Sequence, residues 1–455
     1  MLGSLRGRIV STQPARPPLF LGYLALHGLV VLGLVTPRFP DSETYMHLNL
    51  LGNQLRLPTV PLLYKILPTD TLRVAGQTLL AAGAWWVLAM TAKQLVRDRR
   101  VQIGVAAVLL TLGLVGPIAS WNSVILSEST AISLTALLIA TWFRYLRDTR
   151  WDTALVALGV TLGWTFTRQP NVLFGLMITA TAVWAVIVRR PRSRILGCVA
   201  LGLALISLAG LLEIHHNQTL SKGALSYMIK GRILPNAGWN RWFVSHGMPD
   251  PRFDPSQPGR AAPQNPSFTA WLNRDGIRTY VKFVLTHPKY TLIDPLPSLS
   301  GEQASLYEPN RAIYPQLQPE PTPSILSPDV NYGRHRAVVP TIVEQTLFEP
   351  TAIGVLLLLA GAGLAFVLLT RSDAGMEPSL VLAGLVVASA IPQAYILWLS
   401  GGETTNELDR LSMVTAVSVR VGLWIFLAIA LDRFLERRQL SETRSTRTPL
   451  VIDPS

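Results

Sequence analysis

The feature that most constrains this chain is a series of apolar segments joined by short, arginine-rich connections. A bilayer core of about 30 Å takes roughly 20 apolar residues per helix. Ten segments fit that pattern: 19–36, 72–92, 101–119, 128–143, 153–167, 171–188, 195–212, 350–370, 380–399 and 412–431. Composition agrees, with a mean hydropathy of +0.34 and only 15% charged residues in a chain of 455. That balance excludes an ordinary soluble globular domain. The expected fold class is an all-α polytopic membrane protein of about ten transmembrane helices, with a small loop-rich extracytoplasmic domain.

Arginines set the orientation. Arg97, Arg99 and Arg100 follow the second segment, Arg144, Arg147 and Arg150 the fourth, and Arg189, Arg190, Arg192 and Arg194 the sixth. Arg6, Arg8 and Arg16 precede the first, and Arg433, Arg437 and Arg438 follow the last. If the segments alternate, all of these share one side, and the positive-inside rule makes it cytoplasmic. The net charge of +13 is thereby a topology signal, and no nucleic-acid partner is implied. Basic residues are 34 Arg and 6 Lys among much Ala, Leu, Val and Gly, which points to a GC-rich bacterial genome and a bacterial cytoplasmic membrane. The run from Leu19 ends in Thr36-Pro37-Arg38 without a small-residue cleavage site, so it reads as a retained first helix. Cys198 is the only cysteine, which rules out an intrachain disulfide and a cysteine-based metal site.

Three outer segments are more than turns. In 37–71, Tyr45, Leu48, Leu51 and Leu55 recur at helical spacing, as do Leu62, Ile66 and Leu67, which predicts two short helices in the interface plane. The stretch 213–349 carries 17 of the 33 prolines together with Trp239, Trp242, Phe243, Trp271, Tyr280 and Phe283. Those aromatics predict an ordered unit, with an extended Pro-dense piece at 309–328. The third, 400–411, is short and acidic. The domain reading is a seven-helix module at 1–212, an extracytoplasmic Pro/Trp-rich domain at 213–349, three further helices at 350–438, and a disordered cytoplasmic tail at 439–455.

Chemistry-bearing residues gather at the outer helix ends. Asp41 and Glu43 open the first outer segment. They read either as helix-start acids that suit the dipole, or as a general base and its neighbour, with Asp41 and Glu43 also the carboxylates that a divalent ion would use. Glu128, in Ser127-Glu128-Ser129, reads as a capping-region acid or as a second acid facing the first loop. Arg168, between the fifth and sixth helices, either snorkels to headgroups or clamps a phosphate. Glu407 and Arg410 precede the last helix, and Arg420 lies about three turns inside it, where an anionic partner or a wet cavity is expected. His27 reads as a hydrogen-bonded core residue. There is no Walker motif and no dinucleotide fingerprint, so a cytoplasmic nucleotide donor is not indicated.

Pro40-Asp41-Ser42-Glu43-Thr44-Tyr45 after the first helix, Glu128 between the third and fourth, and seven helices followed by an outer domain resemble the GT-C superfamily of membrane glycosyltransferases. The likeness covers mainly residues 1–212, and its motifs are short. It implies a polyprenyl-phosphate-linked sugar as donor, a lipid, glycan or protein hydroxyl as acceptor, and inversion at the anomeric carbon. It further implies Asp41 as base, with Glu43, Glu128, Arg168, Glu407, Arg410 and Arg420 binding acceptor or donor phosphate. Asp-x-Glu stands where some members have Asp-Asp or Asp-x-Asp, which leaves a divalent metal open. The rival readings are a multi-pass transporter, which calls for internal repeats and discontinuous helices, and a non-catalytic scaffold. A lipid-phosphate hydrolase or acyltransferase lacks its histidine constellation here.

Overall fold

A computed structural model describes residues 17–48, 56–189, 194–216, most of 222–249, 266–295, 333–348, 378–400 and 405–445. Every regular element among them is helical. In order these are α1 (Pro17–Val31), a 3₁₀ turn (Pro40–Tyr45), α2 (Thr59–Ile66), α3 (Asp70–Lys93), α4 (Arg99–Leu112), α5 (Gly116–Ala119), α6 (Glu128–Asp148), α7 (Trp151–Thr165), α8 (Gln169–Arg189) and α9 (Arg194–His216). Then come α10 (Ala237–Ser245), α11 (Pro266–Trp271), α12 (Ile277–Thr286), α13 (Thr341–Leu347), α14 (Pro378–Ala388), α15 (Ala390–Ser400) and α16 (Thr405–Ser445).

Five helical stretches are long and apolar enough to cross a membrane: Asp70–Lys93, Glu128–Asp148, Ile195–His215, Ser379–Leu399 and Ser412–Gln439. The chain is thus an all-helical membrane protein, but the expected ten spans are not reached among the described residues. The segment expected at 350–370 lies outside them. The one expected at 101–119 is not a single rod, because α4 and the stretch from Gly116 to Ser123 meet at 54° and make at most one bent span. Two local features produce the bend. A Cβ at Gly113 would sit 2.6 Å from Trp85 Cγ and 2.7 Å from the Tyr23 hydroxyl, so only glycine lets the chain pass so close. Pro117 then starts a new helix, where its missing N–H costs nothing. The Gly116 N–H is satisfied from outside by Glu344 Oε2 at 2.8 Å.

The main core packs α1, α3, α4, α6 and α16 around Trp85, Leu88, Leu109, Trp121 and Phe143. At one end of this bundle a polar floor replaces water for the irregular backbone. The Gln77 amide donates to the Asn122 and Val124 carbonyls, both at 3.0 Å. The Tyr64 hydroxyl lies 2.7 Å from both Gln77 Oε1 and the Leu126 carbonyl. Buried backbone carbonyls without such partners would be costly. The strap 333–348 closes over this end. The Arg334 N–H donates to Thr36 Oγ1 (3.0 Å) and Ser123 Oγ (2.9 Å), and the Arg336 N–H to the Val30 carbonyl (2.8 Å). Gly333 is required there, because a Cβ would come within 2.0 Å of the Ser120 carbonyl oxygen.

The opposite end carries the arginine-rich connections. Asp432 accepts from the N–H groups of Arg97 (2.9 Å) and Asp98 (2.7 Å), and Arg97 pairs with Glu436. Asp98 in turn caps α4 by accepting from Arg100 and Val101.

A separate aromatic cluster joins α10, α11 and α12 around Phe243, Phe268, Trp271, Phe283 and Tyr290. Its two main helices end alike. His246 stacks on Trp242 (3.9 Å, 18°) and His287 on Phe283 (4.1 Å, 28°). Each Nδ1 bonds the carbonyl four residues back, at 2.8 and 3.1 Å. Because a carbonyl only accepts, Nδ1 carries the proton in both rings. The aromatics expected to order this part of the chain do pack together. The Pro-dense piece at 309–328 lies outside the described residues.

Candidate functional site

Asp41, Glu43, Glu128 and Arg168 occupy the end of the bundle that holds the polar floor. The 3₁₀ turn Pro40–Tyr45 presents the first pair. Pro40 fixes φ at its start, the Phe39 N–H donates to Ser42 Oγ (2.9 Å), and Thr44 Oγ1 donates to the Asp41 carbonyl (2.6 Å). The tight turn sends Asp41 and Glu43 to different partners. Asp41 Oδ1 is 2.9 Å from Arg56 Nη2, with about a third of the Asp41 side chain exposed. Arg56 also donates Nε to Thr44 Oγ1 (2.8 Å) and lies 4.9 Å above the Tyr45 ring. Glu43 takes Arg38 Nη1 at 2.6 Å, while Arg38 also grips Asp70 through Nε (2.8 Å) and Nη2 (3.1 Å). Hydrogen bonds first to Asp70 and then to Glu43 hold the Arg38 guanidinium above its ordinary pKa. Asp70 continues the chain to Arg73 at 2.6 Å.

Glu128 is the first residue of α6, and its side chain is 1% exposed. It pairs with Arg168 Nη2 at 3.2 Å, and the Arg168 side chain is 6% exposed. Neither serine beside it caps the helix. Ser127 makes no side-chain cap bond, and Ser129 Oγ donates to Asn122 Oδ1 at 2.6 Å. The α7–α8 connection is held by Thr167 and Asn171, which both donate to the Trp164 carbonyl (2.6 and 2.9 Å). One hydrogen bond ties the two groups of charges together. The Tyr45 hydroxyl donates to Ser127 Oγ (3.1 Å), which lies 3.5 Å from Glu128 Oε2. α2 wedges beside them, with the Thr59 hydroxyl donating to the Gly163 carbonyl (2.9 Å) and its N–H to the Phe166 carbonyl (3.2 Å). Burial pushes the Tyr64 phenol of α2 well above its ordinary value, so it stays a neutral donor.

The structure thus brings Asp41, Glu43, Glu128 and Arg168 to one end of the bundle. Arg420 is placed differently. It is buried in α16, donates Nε to the Phe348 carbonyl and Nη1 to the Ala416 carbonyl (3.0 Å), and lies 4.3 Å from the Phe348 ring centre. These contacts with backbone and an aromatic face let the arginine fasten the end of the strap. Glu407 and Arg410 are in the first turns of α16, and their side chains lie outside the described residues. His27 is buried edge-on against Tyr23, and neither ring nitrogen has a hydrogen-bond partner among the described residues, contrary to expectation.

Arg56, Arg38, Asp70 and Arg73 were not singled out from the sequence. Arg56 had a signal, being a lone cation between Leu55 and Leu57 in an apolar outer stretch. Asp41 and Glu43, the carboxylates expected to hold a divalent ion if one binds, are each paired with an arginine of their own. Among the described residues no group of three or more His, Cys, Asp or Glu side chains has metal-binding geometry.

No protein-family profile matches the chain, and no curated protein matches it by sequence. Six solved chains resemble it in structure. The archaeal oligosaccharyltransferase AglB from Archaeoglobus fulgidus, in complex with an inhibitory peptide and a dolichol-phosphate, aligns with a TM-score of 0.45 and 11% identity over 96% of this chain. The Archaeoglobus fulgidus oligosaccharyltransferase in the apo form aligns with a TM-score of 0.45 and 10% identity, again over 96% of this chain. This chain spans about half the length of both, 52%. A likeness this distant carries no argument about activity, so the functional reading rests on the residues.

Proposed function

We propose that the chain is a membrane glycosyltransferase, which moves a sugar from a polyprenyl-phosphate donor to an acceptor hydroxyl at the Asp41 end of the bundle. The observation that carries this reading is the contrast within the polar patch. Asp41 is partly exposed and held by Arg56 at 2.9 Å, while Glu128 and Arg168 lie buried behind it and are linked to its turn through Tyr45 and Ser127. A carboxylate fixed in direction yet open to the surface is suited to general-base work.

In this scheme Asp41 accepts the proton of the acceptor hydroxyl. The acceptor oxygen forms a bond to the anomeric carbon as the bond to the donor phosphate oxygen breaks. The polyprenyl phosphate leaves with the bonding pair, and an arginine stabilises its growing charge. Arg410 is the proposed phosphate partner, because Arg168 and Arg420 are engaged by Glu128 and by the strap. Glu43 and Glu407 are proposed to position the acceptor, and Glu128 acts through Ser127 and Tyr45. The domain division at 212, 349 and 438 belongs to the same proposal, as does placement in the bacterial cell membrane with both termini in the cytoplasm.

Transport is the second reading, and the 54° break between α4 and the Gly116–Ser123 stretch favours it, because transporters bind substrate at interrupted helices. The deciding experiment is a panel of polyprenyl-phosphate sugars offered to the protein in nanodiscs, with lipid and glycan extracts as acceptors. Release of free polyprenyl phosphate from one donor is the expected result. Counterflow of a substrate across proteoliposomes without any release would move the assignment to transport.

A further inference from the structure

α12 presents a surface that the glycosyl-transfer reading leaves unused. Its buried arc is Thr279, Tyr280 and Phe283, which pack into the aromatic cluster. Ile277, Val281 and Leu285 recur every four residues on the exposed side, and Leu285 is 79% exposed. The π-type turn Lys289–Ile293 adds the exposed pair Leu292 and Ile293. At 100° per residue, Arg278 and Lys282 fall in a strip directly beside the apolar one, and both are exposed, as is Lys289. An apolar strip flanked by a basic one is the pattern of a helix lying in a membrane surface.

Two hydrogen bonds fix the depth of this helix relative to a membrane-spanning one. The Tyr280 hydroxyl donates to the Leu399 carbonyl (3.1 Å), and the Tyr395 hydroxyl donates to the Leu292 carbonyl (2.7 Å). Leu399 is the last residue of the apolar span Ser379–Leu399. Tyr395 is four residues further in, about 6 Å along the axis. The exposed Leu292 and Ile293 therefore sit level with the final turn of a helix that crosses the bilayer. Arg232, through its hydrogen bond to the Trp398 carbonyl and its stacking on the Trp398 ring (4.2 Å), fastens the cluster at the same height.

We propose that α12 and the turn after it are seated in the leaflet at this end of the bundle. Ile277, Val281, Leu285, Leu292 and Ile293 enter the acyl region, and Arg278, Lys282 and Lys289 hold the phosphates of anionic phospholipids. The membrane is the occupant because the flanking charge is of one sign and the depth is set by α15. The proposal does not depend on what reaction the protein catalyses.

The test uses the full-length protein in nanodiscs of phosphatidylglycerol and phosphatidylcholine. Cys198, itself exposed, is replaced by alanine, and a single spin label is placed by Leu285→Cys or Lys282→Cys. At 285 the label is expected to collide with oxygen several-fold more than with a water-soluble nickel chelate, and this preference is expected to be smaller at 282. Ready collision with the nickel reagent at 285 would overturn the proposal. So would exclusion of both reagents, which would mean that protein covers the helix. In a second arm, Arg278→Gln/Lys282→Gln is expected to retain several-fold less phosphatidylglycerol through detergent extraction, with phosphatidylcholine unchanged. Equal phosphatidylglycerol retention would overturn the headgroup assignment.

Discussion

The two ends of the bundle use the same residue types to different ends. At the arginine-rich end the ion pairs are local or exposed, such as Arg150 with Asp152 (72% and 60% exposed) and Arg147 with Asp148. At the other end several pairs link into a chain through Arg38 and Asp70, and one pair, Glu128 with Arg168, is almost fully buried. Exposed pairs contribute little, because water and salt screen them. A buried pair contributes little net stability as a pair, yet losing one partner strands a charge in a low-dielectric interior. The first end therefore reads as a solvated boundary, and the second as a joint with a working surface upon it.

Breaking the joint should have the largest effect. Glu128→Ala leaves the Arg168 guanidinium without its carboxylate and is expected to destabilise the protein by about 3–5 kcal/mol, read as a lowered melting temperature in nanodiscs. Arg168→Ala should do the same, and Glu128→Ala/Arg168→Ala should cost less than the sum of the two, because neither charge is then stranded. An additive double variant would mean that the pair is not coupled. Gly333→Ala should come next. Its Cβ meets a backbone carbonyl that has no rotamer by which to escape, so the strap must lift. Proteolysis should then reach the 333–348 segment, and unchanged protection would refute the close packing there. Gln77→Leu removes the amide that holds two loop carbonyls and is expected to cost about 1–3 kcal/mol through unsatisfied buried groups. At the opposite end, Arg150→Ala should leave stability within about 0.5 kcal/mol. A larger loss would erase the contrast between the two ends.

Much of the frame was legible in the sequence because apolar length and loop arginines are local signals. Asp98 before α4 marks a helix start, and the five long apolar spans lie where runs of apolar residues placed them. Gly113 and Gly116-Pro117 stood inside the expected span 101–119, but whether a glycine bends a helix depends on what packs against it, here Trp85 and Tyr23. The first interfacial helix was expected over Tyr45, Leu48, Leu51 and Leu55; a 3₁₀ turn closed by Ser42 and Thr44 ends at Tyr45, and residues 49–55 lie outside the described ones. The acids of the site were legible by residue type and position. Their partners were not, since Arg168 is 40 residues from Glu128 and Asp70 is 32 from Arg38, and only the tertiary fold selects such pairs. Arg420 shows the same limit: the need for a partner could be read, but not its contacts with the Phe348 carbonyl and ring.

The central claim is that Asp41 does chemistry where Glu128 holds structure. The most direct test compares Asp41→Asn and Glu128→Gln, each assayed for polyprenyl-phosphate release and for melting temperature in the same nanodiscs. Asp41→Asn should keep the wild-type melting temperature and lose about 100-fold or more in turnover, the range of a lost general base, while Glu128→Gln should melt markedly lower. Full turnover in Asp41→Asn, or an equal fall in melting temperature for both variants, would contradict the account.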